Sequence, residues 1–142
     1  MTLLFCLVSG SSAFLAYNVA VIPGTRDIRF PTVELNTGGD YSSTTGEFTC
    51  RVPGLYWFSA TIAKGWNVDV DHVACSIELN GGGKIRLYGN PKDDKDGYQM
   101  TGSLALHITP GDRVQVGDCR NADKIHNSYH THFSGMLVRP DV

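Results

Sequence analysis

The sequence lacks the patterns of several large functional classes. Its 142 residues contain no run of about 20 apolar residues that could cross a bilayer as a helix. The twelve lysines and arginines form no cluster and the formal net charge is −2, so neither a nucleic-acid partner nor an anionic membrane surface is indicated. There is also no Gly-x-Ser-x-Gly motif and no glycine-rich loop opening a helix. We therefore expect a protein that is not an enzyme.

Cysteine pairs of the metal-binding or redox type are also missing. Cys6, Cys50, Cys75 and Cys119 stand far apart, so no Cys-x-x-Cys motif indicates zinc or thioredoxin-like chemistry. No Asn-x-Ser/Thr sequon occurs, and we expect no N-glycosylation.

The N-terminal segment, residues 1–12, is ambiguous. Apolar residues 3–8 followed by small residues resemble the core and cleavage site of a secretory signal, but the basic residues that begin such signals are missing. We expect either a signal-like remnant or an N-terminal arm, and a single folded domain over 13–142.

Short alternating segments separated by turn residues fill that domain. With 16 glycines and 42% hydrophobic residues, the composition suits a compact all-β domain, and turns every 8–12 residues are typical of a sandwich or jelly roll. Asn80-Gly81 indicates a hairpin with a primed turn. The predicted strands are 13–19, 28–30, 32–35, 47–52, 55–64, 70–79, 84–88, 98–108, 113–116 and 132–138.

The most apolar run, Leu55-Tyr56-Trp57-Phe58, would make its strand apolar on both faces. A strand of that kind needs a second surface to cover it, which a neighbouring subunit can supply.

Aromatic residues, Asn and Gly recur at fixed spacings over 30–58: Phe30, Asn36, Tyr41, Phe48, Gly54, Tyr56 and Phe58. This pattern resembles the signature of the globular domain of complement C1q, in the C1q/TNF superfamily. Phe14 and the segments 104–106, 110–116 and 133–138 resemble further parts of that domain, over about 13–139. Ala60 departs from the pattern, because the family prefers Phe or Tyr there.

The resemblance implies a ten-stranded jelly-roll β-sandwich that assembles as a homotrimer. It also implies a secreted, non-enzymatic protein similar to the stand-alone soluble members of invertebrates, which bind microbial or glycan ligands in innate immunity, some as lectins. Two alternatives share the fold: a cytokine-like trimeric ligand for a cell-surface receptor, and a structural protein of the extracellular matrix. The resemblance also places the strands of Cys75 and Cys119 side by side, so we expect a disulfide there and a free core thiol at Cys50.

A polar loop before the last strand is the predicted ligand site, because loops carry function on rigid sandwiches. It offers cations for anionic groups, amides and a carboxylate for hydroxyl groups, and an aromatic ring for stacking. The predicted ligand-binding residues are Arg120, Asn121, Asp123, Lys124, Asn127, Tyr129 and His130. Trp66, with Asn67 and Asp69, is the second candidate, although we expect Trp66 to be a core residue.

Two metal sites are candidates. His130 and His132 would share one strand face at period two and bind a transition metal, with His126 or Asp123 as the third ligand; the alternative is a polar strand edge. The acidic loop 93–97 offers carboxylates for calcium, but lacks the spacing of a full calcium loop, and solvated surface charge is the alternative.

Overall fold

The computed structural model describes residues 10–89 and 93–142. Within them the chain is all-β, as predicted, with one 3-10 helix over Ala122–Lys124. The strands are β1 (Ala13–Tyr17), β2 (Ala20–Val21), β3 (Ile28–Arg29), β4 (Thr32–Thr37), β5 (Glu47–Thr49), β6 (Gly54–Lys64), β7 (Ala74–Leu79), β8 (Gly82–Tyr88), β9 (Tyr98–Ile108), β10 (Arg113–Arg120) and β11 (His132–Pro140). The predicted N-terminal arm or signal-like remnant lies almost wholly outside the described residues, as does Cys6.

Two antiparallel sheets form the sandwich. The first has the order β4-β1-β11-β6-β9 and the second the order β5-β10-β7-β8, while β2 and β3 pair only with each other. The last strand, β11, lies between β1 and β6, with Ala13 opposite Met136 and Tyr17 opposite His132. The first and last strands of the domain are therefore neighbours, which is the arrangement expected of a jelly roll.

Aromatic rings fill the space between the sheets. The ring of Phe14 stacks on Tyr41 at 4.8 Å and meets the edge of Phe133 at 4.9 Å. Phe48 and Phe58 extend the cluster with ring centroids 5.2 Å apart. These side chains are almost fully buried, so the signature residues form the core rather than a surface site.

The remaining signature residues fix the backbone around that core. The Asn36 side chain donates to the carbonyl of Tyr41 at 2.9 Å and accepts from its N–H at 3.1 Å. The Tyr41 hydroxyl in turn accepts from the N–H of Phe30 at 3.0 Å. At Gly54, a Cβ would collide with the carbonyl oxygen of Arg139 on the neighbouring strand. Only glycine fits there, because the two strands come so close.

The hairpin prediction at Asn80-Gly81 is confirmed. Asn80 has φ 52° and Gly81 has φ 83°, as a type I′ turn requires, and Leu79 pairs with Gly82 across it. The predicted strand 98–108 also agrees with the observed β9.

One strand prediction fails at its start. Residues 70–73 precede β7 and form loop structure, because Val70 donates its N–H to Asp94 and Val73 to the Tyr98 hydroxyl instead of to a strand. These partners lie in the next loop and on the other sheet, where sequence periodicity gives no information.

The predicted disulfide is present. Cys75 on β7 and Cys119 on β10 are bonded, and Cys50 is a buried free thiol. Burial raises the pKa of the Cys50 thiol, which keeps it protonated as a core residue. No helix among the described residues is long and apolar enough to span a membrane.

Candidate functional site

The predicted ligand loop, 120–130, divides between two surfaces rather than forming one. Its first part borders a depression of about 510 Å³ between the β2–β3 hairpin and the end of β10. We call it the Arg120 depression; it is lined by Val21, Thr25, Arg26, Cys119, Arg120, Asn121, Ala122 and Asp123. Its charged side chains are Arg26, Arg120 and Asp123, and Arg26 also forms an exposed ion pair with Asp118 at 3.9 Å.

The two asparagines of the loop have structural roles. The Asn127 side-chain oxygen accepts from the N–H of Val19 at 2.9 Å and from the Asn18 side chain at 3.1 Å. The Asn121 amide donates to the carbonyl of His72 at 2.6 Å. These contacts join the loop to its neighbours and engage the side-chain oxygen of Asn127 and the side-chain NH2 group of Asn121. Lys124 forms an exposed ion pair with Asp123, at 3.7 Å.

The second part of the loop meets Trp66 in a separate pocket of about 320 Å³. We call it the Trp66 pocket; it is lined by Ala63, Lys64, Gly65, Trp66, Tyr98, Gln99, His126 and His130. Trp66 is 79% exposed, so the expectation that it is a core residue is wrong. Tyr129, 73% exposed, stacks on His130 with ring centroids 4.9 Å apart. The pocket thus joins one residue from each of the two predicted sites.

A buried lysine holds one wall of the Trp66 pocket. Lys64 is only 2% exposed, and its Nζ donates to the carbonyl oxygens of Asp94 and Asp96, both at 2.6 Å. The ammonium also lies 5.8 Å from the centroid of the Tyr98 ring. A buried charge requires such partners, and here they fix the acidic loop against the end of β6.

Thr131 and Gln99 hold the opposite wall. The Thr131 hydroxyl donates to the carbonyl of His126 at 2.8 Å and accepts from the N–H of Ala63 at 3.2 Å. The Gln99 side chain donates to the carbonyl of His130 at 3.0 Å. The two histidines are therefore set by bonds to β6 and β9, although they stand on a loop.

Lys64 and Gln99 were not among the predicted site residues. The sequence does indicate that Lys64 is buried, because it continues the series of inward-facing positions of β6 at every second residue. The earlier members of that series are Tyr56, Phe58, Ala60 and Ile62. A lysine at an inward position needs a polar partner. Gln99 carries no comparable signal.

In the acidic loop, 93–97, the backbone carbonyl oxygens of Asp94 and Asp96 point towards Lys64. The lysine ammonium, rather than a metal ion, is therefore the cation that these oxygens contact. The Asp93 carboxylate accepts from the N–H of Lys95 at 2.9 Å, and that of Asp96 from the N–H of Asp93 at 3.1 Å. Calcium binding at this loop stays a prediction, and these contacts favour the alternative of structural and solvated charge. Nearby, the N–H of His72 donates to Asp71 and holds the pKa of that carboxyl below its usual value.

The histidine prediction was wrong in its geometry. His130 lies in a turn before β11, whereas His132 is the first residue of that strand, so the two do not share a strand face. His126 is the neighbour of His130, with ring centroids 5.7 Å apart. Across residues 10–89 and 93–142, no three His, Cys, Asp or Glu side chains gather as a metal site would need.

The outer face of the first sheet is apolar near its centre. Trp57 is 46% exposed, Met136 50% and Leu35 48%, and the three line a cleft of about 150 Å³ with Ala13. The neighbouring β6 residues Tyr56 and Phe58 are buried between the sheets. The strand is therefore apolar on both faces, as predicted.

Comparison with known proteins connects this fold to a family. The family model described as the C1q domain matches residues 13–138. The chain belongs to the C1q domain family. Members of this family are ligands or structural proteins, so the C1q domain described here is non-enzymatic in kind, as expected.

Similar proteins include complement C1q tumor necrosis factor-related protein 2 of Mus musculus and of Homo sapiens. The mouse protein is 31% identical over 144 residues, covering 96% of this chain and 47% of that protein. The human protein is 31% identical over 134 residues, covering 89% and 45%. The C1q domain described here thus spans about half the length of these relatives.

Solved structures show the same fold at low identity. The globular domain of zebrafish complement 1qA matches with a TM-score of 0.71 and 17% identity, covering 93% of this chain and 99% of that one. Murine APRIL at pH 8.5 matches with a TM-score of 0.70 and 12% identity, covering 90% and 99%. The jelly roll is therefore shared with C1q and TNF-type domains.

Proposed function

We propose that this C1q domain is part of a secreted, homotrimeric recognition protein that binds glycan or microbial surface ligands at its loop end. The observation that carries the proposal is the Trp66 pocket, in which a 79%-exposed tryptophan faces the polar side chains of Gln99, His126 and His130. A large exposed ring beside polar side chains offers a flat apolar surface on which a ligand can stack.

The chemistry of the pocket suits a sugar. One face of a pyranose is apolar and stacks on a ring such as Trp66, while its hydroxyl groups need hydrogen-bonding partners. Gln99 and the two histidines supply donors and acceptors at the same pocket. The predicted residues Arg120, Asn121 and Asp123 border the Arg120 depression instead, so we propose that depression as a secondary contact for anionic groups.

Trimer formation is typical of the family, and the apolar outer face of the first sheet supports it for this chain. The cleft of Leu35, Trp57 and Met136 is the surface that a neighbouring subunit would cover. Three copies of one weak pocket on a rigid trimer give avidity well beyond that of a single pocket.

The disulfide supports an extracellular location. Disulfides persist in oxidising compartments and are rare in the cytosol, and the Cys75–Cys119 bond joins two core strands here.

A glycan array compares the wild-type protein with Trp66→Ala. We expect wild type to bind, and Trp66→Ala to weaken binding by about 1–2 kcal/mol per site, the scale of one aromatic contact. Tyr88→Ala is the matched control, because Tyr88 is an aromatic residue 57% exposed on the second sheet. Equal binding by wild type and Trp66→Ala would contradict the assignment of the pocket.

A cytokine-like ligand for a cell-surface receptor is the second candidate. It is favoured by the 31% identity to C1q tumor necrosis factor-related protein 2. A receptor ligand would show no binding on the array but saturable, trypsin-sensitive binding to cells.

A further inference from the structure

We propose that His126 and His130 form an exchangeable site for a divalent transition metal ion at the edge of the Trp66 pocket. The proposal does not depend on glycan binding. It rests on the placement of the two imidazoles, on the hydrogen bond that orients one of them, and on their exposure to solvent.

The distance between the rings suits one shared ion. Zinc lies about 2.0–2.1 Å from a ligating ring nitrogen, hence roughly 3.2 Å from the ring centroid, and two imidazoles on one ion have centroids roughly 5 to 6.4 Å apart. The 5.7 Å between His126 and His130 falls within that range. Imidazole nitrogen is a ligand that suits zinc, nickel and copper.

His130 has the second contact that metal-binding histidines usually make. Its Nδ1 lies 2.9 Å from the Ser128 hydroxyl, which leaves Nε2 as the ligand nitrogen. Tyr129 stacks on the same ring and restricts its rotation. For His126, no hydrogen bond to another described residue occupies either ring nitrogen.

The site has two protein ligands, because the described part of the chain brings no third His, Cys, Asp or Glu to it. Water would complete the coordination, since both histidines are exposed at an open pocket. A site of this kind binds an ion less tightly than a closed four-ligand site and releases it to chelators.

Zinc titration by calorimetry tests the proposal on the tag-free chain after treatment with chelator. We expect saturable binding of one Zn²⁺ per chain, weakened at least ~10-fold by His126→Gln or by His130→Gln, and weakened to a smaller extent by Ser128→Ala. Ca²⁺ should give no heat that depends on these histidines, because calcium prefers oxygen ligands.

His132→Gln is the matched control, since His132 lies two residues from His130 but belongs to β11. It should leave zinc affinity unchanged. Melting temperatures equal to wild type verify that each variant is folded. The proposal is overturned if wild type shows no saturable zinc binding, if His126→Gln or His130→Gln binds like wild type, or if His132→Gln weakens binding as much as His130→Gln.

Discussion

At the scale of single residues, the side chains that reveal the family are those that hold the backbone in place. Asn36 bonds to both backbone groups of Tyr41, and Tyr41 bonds to both backbone groups of Phe30. Burial raises the pKa of Tyr41 to about 12, so its hydroxyl remains a hydrogen-bond donor at neutral pH. These roles explain why the spacing identifies a fold and says little about a ligand.

Removal of the Tyr41 hydroxyl should destabilise the domain. Tyr41→Phe leaves the buried N–H of Phe30 without its partner, and an unsatisfied buried donor costs about 1–3 kcal/mol. Thermal unfolding should show a melting temperature lower by several degrees. Tyr129→Phe, at an exposed position, should leave it unchanged; equal stability of both variants would show that the hydroxyl is not needed.

A buried carboxyl gives the fold a pH dependence. Burial raises the pKa of Glu78 above its ordinary 4.5, and the charges of Asp27 and Asp118 act in the same direction. Above pH 4.5 the unfolded chain releases this proton while the folded chain retains it, so the contribution of Glu78 to the free energy of unfolding falls as pH rises through the raised pKa.

Glu78→Gln should therefore stabilise the protein at pH 7 and above, with the difference from wild type vanishing below about pH 4. Urea unfolding at several pH values measures it. Glu34→Gln, at an exposed position on β4, is the control and should show no such trend. A Glu78→Gln variant less stable than wild type at neutral pH would mean that the ionised carboxylate stabilises the fold.

At the scale of elements, strands were predictable and loop placement was not. The alternation of 98–108 gave both bounds of β9, because the period of two reflects which face of a strand is buried. The exposure of Trp66 depends instead on Asn67 and Val70, whose N–H groups bond to the carbonyls of Lys95 and Asp94 in another loop. Contacts of that kind have no local sequence signal.

The same limit applies to the candidate site. The loop 120–130 is continuous in sequence, yet Arg120 borders one depression and His130 lines a different pocket. His126 and His130 come close to each other in the turn before β11. The two-residue side-chain period of a strand does not hold in a turn, so it could not predict this pair.

Lys64 should hold the acidic loop, 93–97, in a fixed conformation. Lys64→Met removes two charge-assisted hydrogen bonds and should lower the free energy of unfolding by roughly 2–3 kcal/mol. Hydrogen exchange over residues 93–97 should become faster. Lys95→Met, in the same loop but exposed, is the control; unchanged exchange in the Lys64 variant would show that the loop is held by other contacts.

At the scale of the whole molecule, the outer face of the first sheet should determine assembly. Light scattering of wild type should give close to three times 15.5 kDa. Trp57→Glu places a charge at the centre of the apolar cleft and should produce monomers, because an unpaired buried charge costs several kcal/mol.

Tyr88→Glu, on the second sheet, should remain a trimer. Wild type that is monomeric at micromolar concentration, or a trimeric Trp57→Glu variant, would place the subunit contact elsewhere or exclude it.

Because the first and last strands pair, the chain enters β1 and leaves β11 on the same side of the domain, which matters when the protein is labelled or immobilised. Tyr17 and His132 meet near the Trp66 pocket, whereas Ala13 and Met136 meet further towards the opposite end, and the N–H of Leu137 bonds to the carbonyl of Ser12 there. Chain entering at β1 and chain leaving at β11 therefore meet the domain on the side away from the pocket. A tether, fluorophore or biosensor linkage at either end should leave the Trp66 pocket facing outward, so both orientations of immobilisation should report the same ligand affinity.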